Sequence, residues 1–353
     1  MPPSNPPPSL SFCQRLRFRQ SAVRSAAIDR AVHLFTRVRY AMPDARPSRF
    51  HLRVTKDVVY GSSSRACHRL DVYTPLHAPQ PRPVVMYVHG GAFTMLSKET
   101  HFVMAMQFAR RGYLVFNINY RLGHKNPFPA PLEDACDALV WVHRHAREYG
   151  GDPARIAIAG ESAGGNLVAA LAIACAAKQK EPFAERLFNE DVRPRATIST
   201  YPFLDLTSIE RHFAHPRVPF WAKELIFDAA SAYVGAHVYE VSRAAPLASP
   251  VRLLETESLR LDRPLSPFFL SCGTRDLLLG DSKRLKAVLD RRGVACELFV
   301  APGEIHGFDA MVWRPAAKAK WRAAHAFLEK HMAVARRPEV HYQECSDDVV
   351  YPR

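Results

Sequence analysis

The stretch Arg155-Ile-Ala-Ile-Ala-Gly-Glu-Ser-Ala-Gly-Gly-Asn-Leu-Val-Ala-Ala constrains this chain more than any other. Ile156 to Ala159 is a short apolar run ending at glycine, the pattern of a buried strand, and an alanine-rich helix pattern begins at Ser162 or Ala163. Between them stands Gly160-Glu161-Ser162-Ala163-Gly164, a Gly-x-Ser-x-Gly turn. Small residues two positions either side of the serine let strand and helix approach closely. The serine is left on a strained backbone, its hydroxyl pushed out of the sheet and above the unpaired N–H groups of the helix N-terminus. Strand, turn and helix in direct succession call for a sheet with helices packed on it, and they mark Ser162 as a candidate nucleophile.

The other strand candidates form a series: Asp57 to Tyr60, His68 to Tyr73, Pro83 to Val88, Leu114 to Tyr120, Ala196 to Tyr201, Pro267 to Ser271 and Glu297 to Val300. Helix patterns lie near 98–111, 131–149, 163–178, 281–292 and 314–333. The first two strands are joined without a helix, so the sheet opens antiparallel; strand and helix then alternate, which requires right-handed crossovers. The fold class expected is α/β, a mostly parallel eight-stranded sheet with helices on both faces. The interval between Tyr201 and Pro267 is too long for a crossover and too rich in aromatics (Phe203, Phe213, Phe220, Trp221, Phe227, Tyr233) for a linker, so it reads as an inserted helical cap. The expected organisation is an N-terminal segment at 1–50, a catalytic domain at 51–202 and 263–335, the cap insertion at 203–262, and a tail at 336–353.

Within the N-terminal segment, residues 1 to 12 are proline-rich and read as disordered. From Ser21 to Tyr40, Val23, Ile28, Val32, Phe35 and Val38 fall near helical spacing while Arg24, Arg30 and Arg37 lie elsewhere. The apolar side of this amphipathic helix is expected to pack on the cap insertion. A transit peptide or a membrane-surface helix is the alternative, since the segment is rich in arginine and nearly free of acids.

A serine hydroxyl is a poor nucleophile at neutral pH. It needs a base, a group that orients the base, and donors for the oxyanion formed when a carbonyl is attacked. Val88-His89-Gly90-Gly91-Ala92-Phe93 leaves the third strand, and its glycine N–H groups, with that of Ala163, are the expected oxyanion hole: Gly90, Gly91 and Ala163. Asp276 follows the seventh strand and His306 the eighth, at the carboxyl ends where catalytic groups of open α/β sheets collect. Ser162, Asp276 and His306 are therefore the expected catalytic residues, in the chain order that this kind of sheet uses. Asp281 is the rival acid, explained equally well as a helix N-cap.

Taken together, His89-Gly90-Gly91, Tyr120-Arg121-Leu122, Phe128-Pro129-Ala130-Pro131-Leu132-Glu133-Asp134, the turn around Ser162 and His306-Gly307-Phe308 resemble the α/β-hydrolases of the hormone-sensitive-lipase type, over about residues 55 to 330. The resemblance implies a cofactor-free carboxylesterase preferring short to medium acyl chains, with a cap built from the N-terminal segment and an insertion after the sixth strand. It implies no metal. Ala92 departs from the pattern, in which a third glycine is common. Arg121, Glu133, Asp134 and Glu161 read as structural supports. The alternatives are an amidase or deacetylase, such as an arylformamide hydrolase, and a non-catalytic binding protein on the same fold.

Bulk properties narrow the partners. At 353 residues the chain has room for a full α/β core. Lys and Arg outnumber Asp and Glu by 48 to 34, a formal charge of +14, but no nucleic-acid reading module accompanies the excess, and nucleic acid is not an expected partner. Cys13, Cys67, Cys136, Cys175, Cys272, Cys296 and Cys345 are odd in number and scattered, as in a reducing compartment. No apolar run reaches the ~18 residues that span a bilayer. A cytoplasmic protein acting on a small-molecule ester is expected; peripheral membrane contact through the basic helix and a homodimer are left open.

Overall fold

The computed structural model describes residues 12–42, 45–61, 65–213, 220–235 and 245–332. The expectations for the proline-rich start and the C-terminal tail fall outside these. One eight-stranded sheet runs in the order β1-β2-β4-β3-β5-β6-β7-β8: β1 (Leu52–Val59), β2 (Arg69–Pro75), β3 (Arg82–Val88), β4 (Leu114–Ile118), β5 (Gly151–Glu161), β6 (Ala196–Thr200), β7 (Phe268–Gly273) and β8 (Cys296–Ala301). The pairs β1/β2 and β2/β4 are antiparallel and every later pair is parallel.

Alternation along the central strands feeds two cores. Val84, Met86 and Val88 of β3 and Ile156 and Ile158 of β5 face the larger one, with residues of α3 (Ala130–His145), α4 (Ala163–Ala176), α5 (Pro182–Asn189) and α8 (Leu279–Arg291). Val85, Tyr87, Ala157 and Ala159 face the other, built with α2 (Phe102–Ala109) and α9 (Pro315–Met332). Both faces are therefore covered, and the parallel strands read as near-continuous apolar runs. The edge strand β1 starts five residues before its sequence signal. Its first half, Leu52-Arg53-Val54-Thr55, alternates apolar and polar over only four residues before the exposed run Thr55, Lys56 and Asp57, where the register with β2 shifts, so the signal is broken in mid-strand.

Between β6 and β7 lie α6 (Phe220–Val234) and the short α7 (Pro250–Glu255). α6 rests on the loop after β3: the Tyr233 and Phe93 rings stack with centroids 3.8 Å apart and an interplanar angle of 4°. The N-terminal helix α1 (Phe12–Ala41) packs against α6, where Arg24 pairs with Asp228, and against the same loop. Its orientation corrects the sequence reading. Val23, Leu34, Phe35 and Val38 are 71%, 66%, 69% and 60% exposed, while Ser21, Ser25 and Thr36 are buried. The surface it meets demands polarity: Asp29 Oδ1 accepts the Leu96 N–H at 2.7 Å, Ser25 and Thr94 hydroxyls lie 3.2 Å apart, and His33 Nε2 is 2.9 Å from Ser97 Oγ. A loop with open backbone donors is better covered by hydroxyls and a carboxylate than by valine and phenylalanine.

Candidate active site

β5 delivers Ser162 to the top of the sheet with φ 54° and ψ −115°, a conformation that costs a residue with a side chain on the order of 1–3 kcal/mol. The surrounding contacts over-determine it. Ser162 N–H donates to Thr200 O at 2.9 Å, and a Cβ at Gly164 would lie 2.1 Å from Val88 O, so only glycine lets α4 come this close to β3.

The serine does not stand alone. His306, in the loop after β8, places Nε2 3.0 Å from Ser162 Oγ, and its Nδ1 lies 2.8 Å from Oδ2 of Asp276, in the loop after β7. The other carboxylate oxygen of Asp276 accepts the Leu278 N–H at 2.9 Å, so the acid is fixed from both sides. The His306 side chain is 45% exposed along its outer edge, and its inner edge lies against Tyr201, 4.5 Å between ring centroids. Burial of that inner edge works to lower the His306 pKa, but the charge and hydrogen bond of Asp276, with a further push from Asp309, outweigh it; the net shift is upward from the ordinary imidazole value.

The rival acid is elsewhere. Asp281 sits in the first turn of α8, fully buried, where Oδ2 accepts N–H groups of Leu204 (2.7 Å) and Asp205 (3.3 Å) and Oδ1 pairs with Arg211. It is neither in reach of His306 nor a local N-cap as the sequence suggested: the loop after β6 needed a buried acceptor, and a helix-start aspartate supplies it.

The expected oxyanion donors separate into two kinds. Gly90 N–H is already committed to Glu161 Oε1 at 2.6 Å. An amide held this tightly by a carboxylate cannot also serve an oxyanion, which removes Gly90 from the hole. For Gly91, Ala92 and Ala163, by contrast, no intramolecular acceptor is found among the described residues. The loop is turned by Gly91, Ala92 and Phe93, all at positive φ (109°, 54° and 60°), and is pinned by Thr94 N–H to Gly91 O (2.9 Å) and Gly123 N–H to Phe93 O (2.7 Å). The strain at Ala92 and Phe93 turns the chain away from β3 immediately after the clamped glycine.

Beneath the loop, Glu161 Oε1 also faces His101 Nε2 at 2.7 Å. Burial raises the Glu161 carboxyl well above its usual range, with the Gly90 N–H pulling the other way, and burial lowers His101 to about 4. His89, the motif histidine, is structural: buried, stacked 4.4 Å from Tyr120 at 17°, with Nδ1 on Gly90 O (2.7 Å) and its pKa pushed down to about 3 by burial. Tyr120 OH donates to His89 O at 2.9 Å, and Arg121 bonds Asp134 and Glu133 at 2.6 and 2.9 Å, bracing the loop from below.

Sequence reasoning missed the support behind His306. Tyr201 OH donates to Asp309 Oδ1 at 2.6 Å, Asp309 Oδ2 meets the buried Lys320 Nζ at 2.6 Å, and Trp321 Nε1–H donates to Asp309 O at 3.1 Å. Only the place of Tyr201 at the end of β6 and of Asp309 three residues after His306 hinted at them.

Comparison with known proteins agrees with this architecture. Residues 85–310 match the alpha/beta hydrolase fold, and the chain belongs to that family. It is 43% identical to the carboxylesterase NlhH of Mycobacterium tuberculosis over 102 residues, a stretch that covers 29% of this chain and 32% of that protein. With the esterase LipI of the same species it shares 30% identity over 247 residues, 67% of this chain and 69% of the other. The crystal structure of esterase LipW from Mycobacterium marinum superposes with a TM-score of 0.67 at 26% identity, covering 86% and 89% of the two chains.

Proposed function

We propose that the protein is a serine carboxylic-ester hydrolase that works through an acyl-enzyme on small-molecule esters of short to medium acyl chains. One observation carries the reading: the unbroken line of hydrogen-bond contacts from Ser162 Oγ through His306 to Asp276, each partner on a different loop at the carboxyl end of the sheet. Ser162 Oγ attacks the ester carbonyl while His306 Nε2 takes its proton. The tetrahedral oxyanion receives N–H groups from Gly91, Ala92 and Ala163. It collapses with cleavage of the C–O bond to the alcohol, which leaves with the proton from His306. Water then enters, gives a proton to His306 and frees the acid, returning the proton to Ser162. Asp276 holds the imidazole tautomer and faces the imidazolium as it forms.

The segments 1–50 and 203–262 form the cap in this reading. Their support is the α1 hydrogen bonds to the loop after β3 and the Tyr233 stack on Phe93, which bring both segments onto the loop that carries two of the donors. Covering the site excludes water and strengthens its electrostatics. A reducing, cytoplasmic setting is supported by the free thiols of Cys136, Cys175 and Cys272 in the core.

The test is a fluorophosphonate probe followed by peptide mapping, together with hydrolysis of p-nitrophenyl esters from acetate to decanoate. Label on Ser162 and a rate that peaks at short or middle chain lengths are expected; labelling elsewhere, or hydrolysis of anilides in preference to esters, would overturn the reading.

A further inference from the structure

α1 lies on the protein with its apolar stripe turned outward. Val23, Ala27, Leu34, Val38 and Ala41 are all exposed and recur at steps of four, seven, four and three residues, which places them on one face of a 3.6-residue helix. Arg19, Arg30 and Arg37, at steps of eleven and seven, follow one edge of that stripe. The helix's single acid, Asp29, is on the opposite side, held by the Leu96 N–H. From Arg19 to Ala41 the helix rises about 33 Å, so stripe and arginine row together form an extended surface. Such a surface, apolar along its middle and cationic along its edge, has no occupant among the described residues.

From this arrangement we propose that the outer face of α1 docks the protein onto an anionic phospholipid surface, its valine and leucine side chains entering the acyl boundary and its arginines meeting the lipid phosphates. Three features favour lipid over a second copy of the chain. The row of arginines faces no carboxylate on its own helix, and anionic headgroups supply that complement. An antiparallel pairing of two such helices would instead set each arginine row against its duplicate. The stripe also keeps one line along the helix from Val23 to Ala41, as suits a plane. No helix of the described residues is long and apolar enough to cross a membrane, so the contact is interfacial. The inner face of the same helix bonds Thr94, Leu96 and Ser97, and docking therefore bears directly on the loop after β3.

The experiment is flotation of the full-length protein with vesicles of phosphatidylcholine alone and of equimolar phosphatidylcholine and phosphatidylglycerol. Binding to the anionic vesicles, weakened by salt, is expected. The triple change Arg19→Gln, Arg30→Gln, Arg37→Gln should weaken it on the order of a hundredfold. The double change Leu34→Asn, Val38→Asn should abolish it. Both variants should melt like the parent, because these side chains point away from the fold. Failure of the parent to float at low salt, or unchanged flotation of both variants, would overturn the proposal. So would a dimer in sedimentation velocity that the Leu34→Asn, Val38→Asn variant dissociates, which would assign the face to a second copy. None of these readouts depends on ester hydrolysis.

Discussion

Glu161 clamps Gly90: its carboxylate accepts the glycine N–H at 2.6 Å, one residue before the nucleophile in one segment and one residue before the remaining donors in the other. The same oxygen meets His101 at 2.7 Å, so three segments, the end of β5, the start of the loop after β3 and the start of α2, are tied at one point. Donor position is worth much in such a site, since losing a single oxyanion donor elsewhere costs 10²–10³ in kcat. Glu161→Ala is expected to release the loop and lower kcat by about a hundredfold with a smaller change in KM. Glu161→Gln, which keeps an acceptor for Gly90, should retain most of the activity. Steady-state kinetics on p-nitrophenyl butyrate distinguish the two, and equal losses would mean that the charge rather than the clamp matters.

Ser162 and His306 act as a unit in the proposed mechanism. Ser162→Ala should lower kcat by roughly 10⁴–10⁶ without altering the melting temperature downward, because removing the hydroxyl leaves the strained backbone unchanged. Adding His306→Ala to it should cost little more. Losses that multiply in the double variant would show that the two residues are not partners.

Asp276 and Asp281 are five residues apart and should fail in different ways. Asp276→Asn is expected to lower kcat on the order of 10⁴, through the wrong imidazole tautomer, with a modest effect on melting. Asp281→Asn should do the reverse, because its buried carboxylate serves Leu204, Asp205 and Arg211, and an amide cannot balance the guanidinium. Paired melting curves and kcat values decide the assignment.

The pH profile follows from the charges around His306. The base must be neutral in the free enzyme, so kcat/KM rises with pH through its pKa, which Asp276 and Asp309 hold above the ordinary imidazole value against the effect of burial. Removing Asp309 removes one of the raising charges, and the acid limb should move to lower pH. Asp309→Asn made alone leaves the Lys320 ammonium beside the site, which acts in the same downward direction, and a lower melting temperature is expected with it because that buried ammonium loses its partner. The amide oxygen that replaces the carboxylate can still accept from the Tyr201 hydroxyl, so kcat on the plateau above the limb should change little. An unmoved limb would confine Asp309 to a packing role.

Much of this was legible in the sequence, for identifiable reasons. Strand β5 and helix α4 flank a turn whose glycines have no substitute, and Ser162, Asp276 and His306 each follow a strand whose apolar run is unambiguous, so their meeting above the sheet could be read from chain order. What failed had a common cause. Whether Gly90 or Ala92 offers its N–H depends on a carboxylate 71 residues away, and no local pattern encodes the direction of one amide. The orientation of α1 was read from its apolar spacing, on the rule that apolar faces turn inward. That rule assumes an apolar partner, whereas the partner here is a loop with open backbone donors at Leu96 and hydroxyls at Thr94 and Ser97.

The α1 contacts yield the last prediction. Deleting residues 1–45 removes the Asp29 carboxylate from Leu96, the Ser25 and His33 contacts from Thr94 and Ser97, and the Arg24 partner of Asp228. A hydrogen bond to a charged acceptor contributes about 1.5–3 kcal/mol, enough to set the ordering of a short loop. Because the loop also carries Gly91 and Ala92, its loosening should act on the chemistry of every substrate: kcat for p-nitrophenyl acetate should fall by about tenfold, and KM for the octanoate should rise further as the cover over an acyl chain is lost. The point variant Asp29→Ala should reproduce the loss on acetate and leave the octanoate-to-acetate ratio unchanged. A truncated protein with the parent's kcat on both esters would show that α1 neither orders the loop nor covers the site.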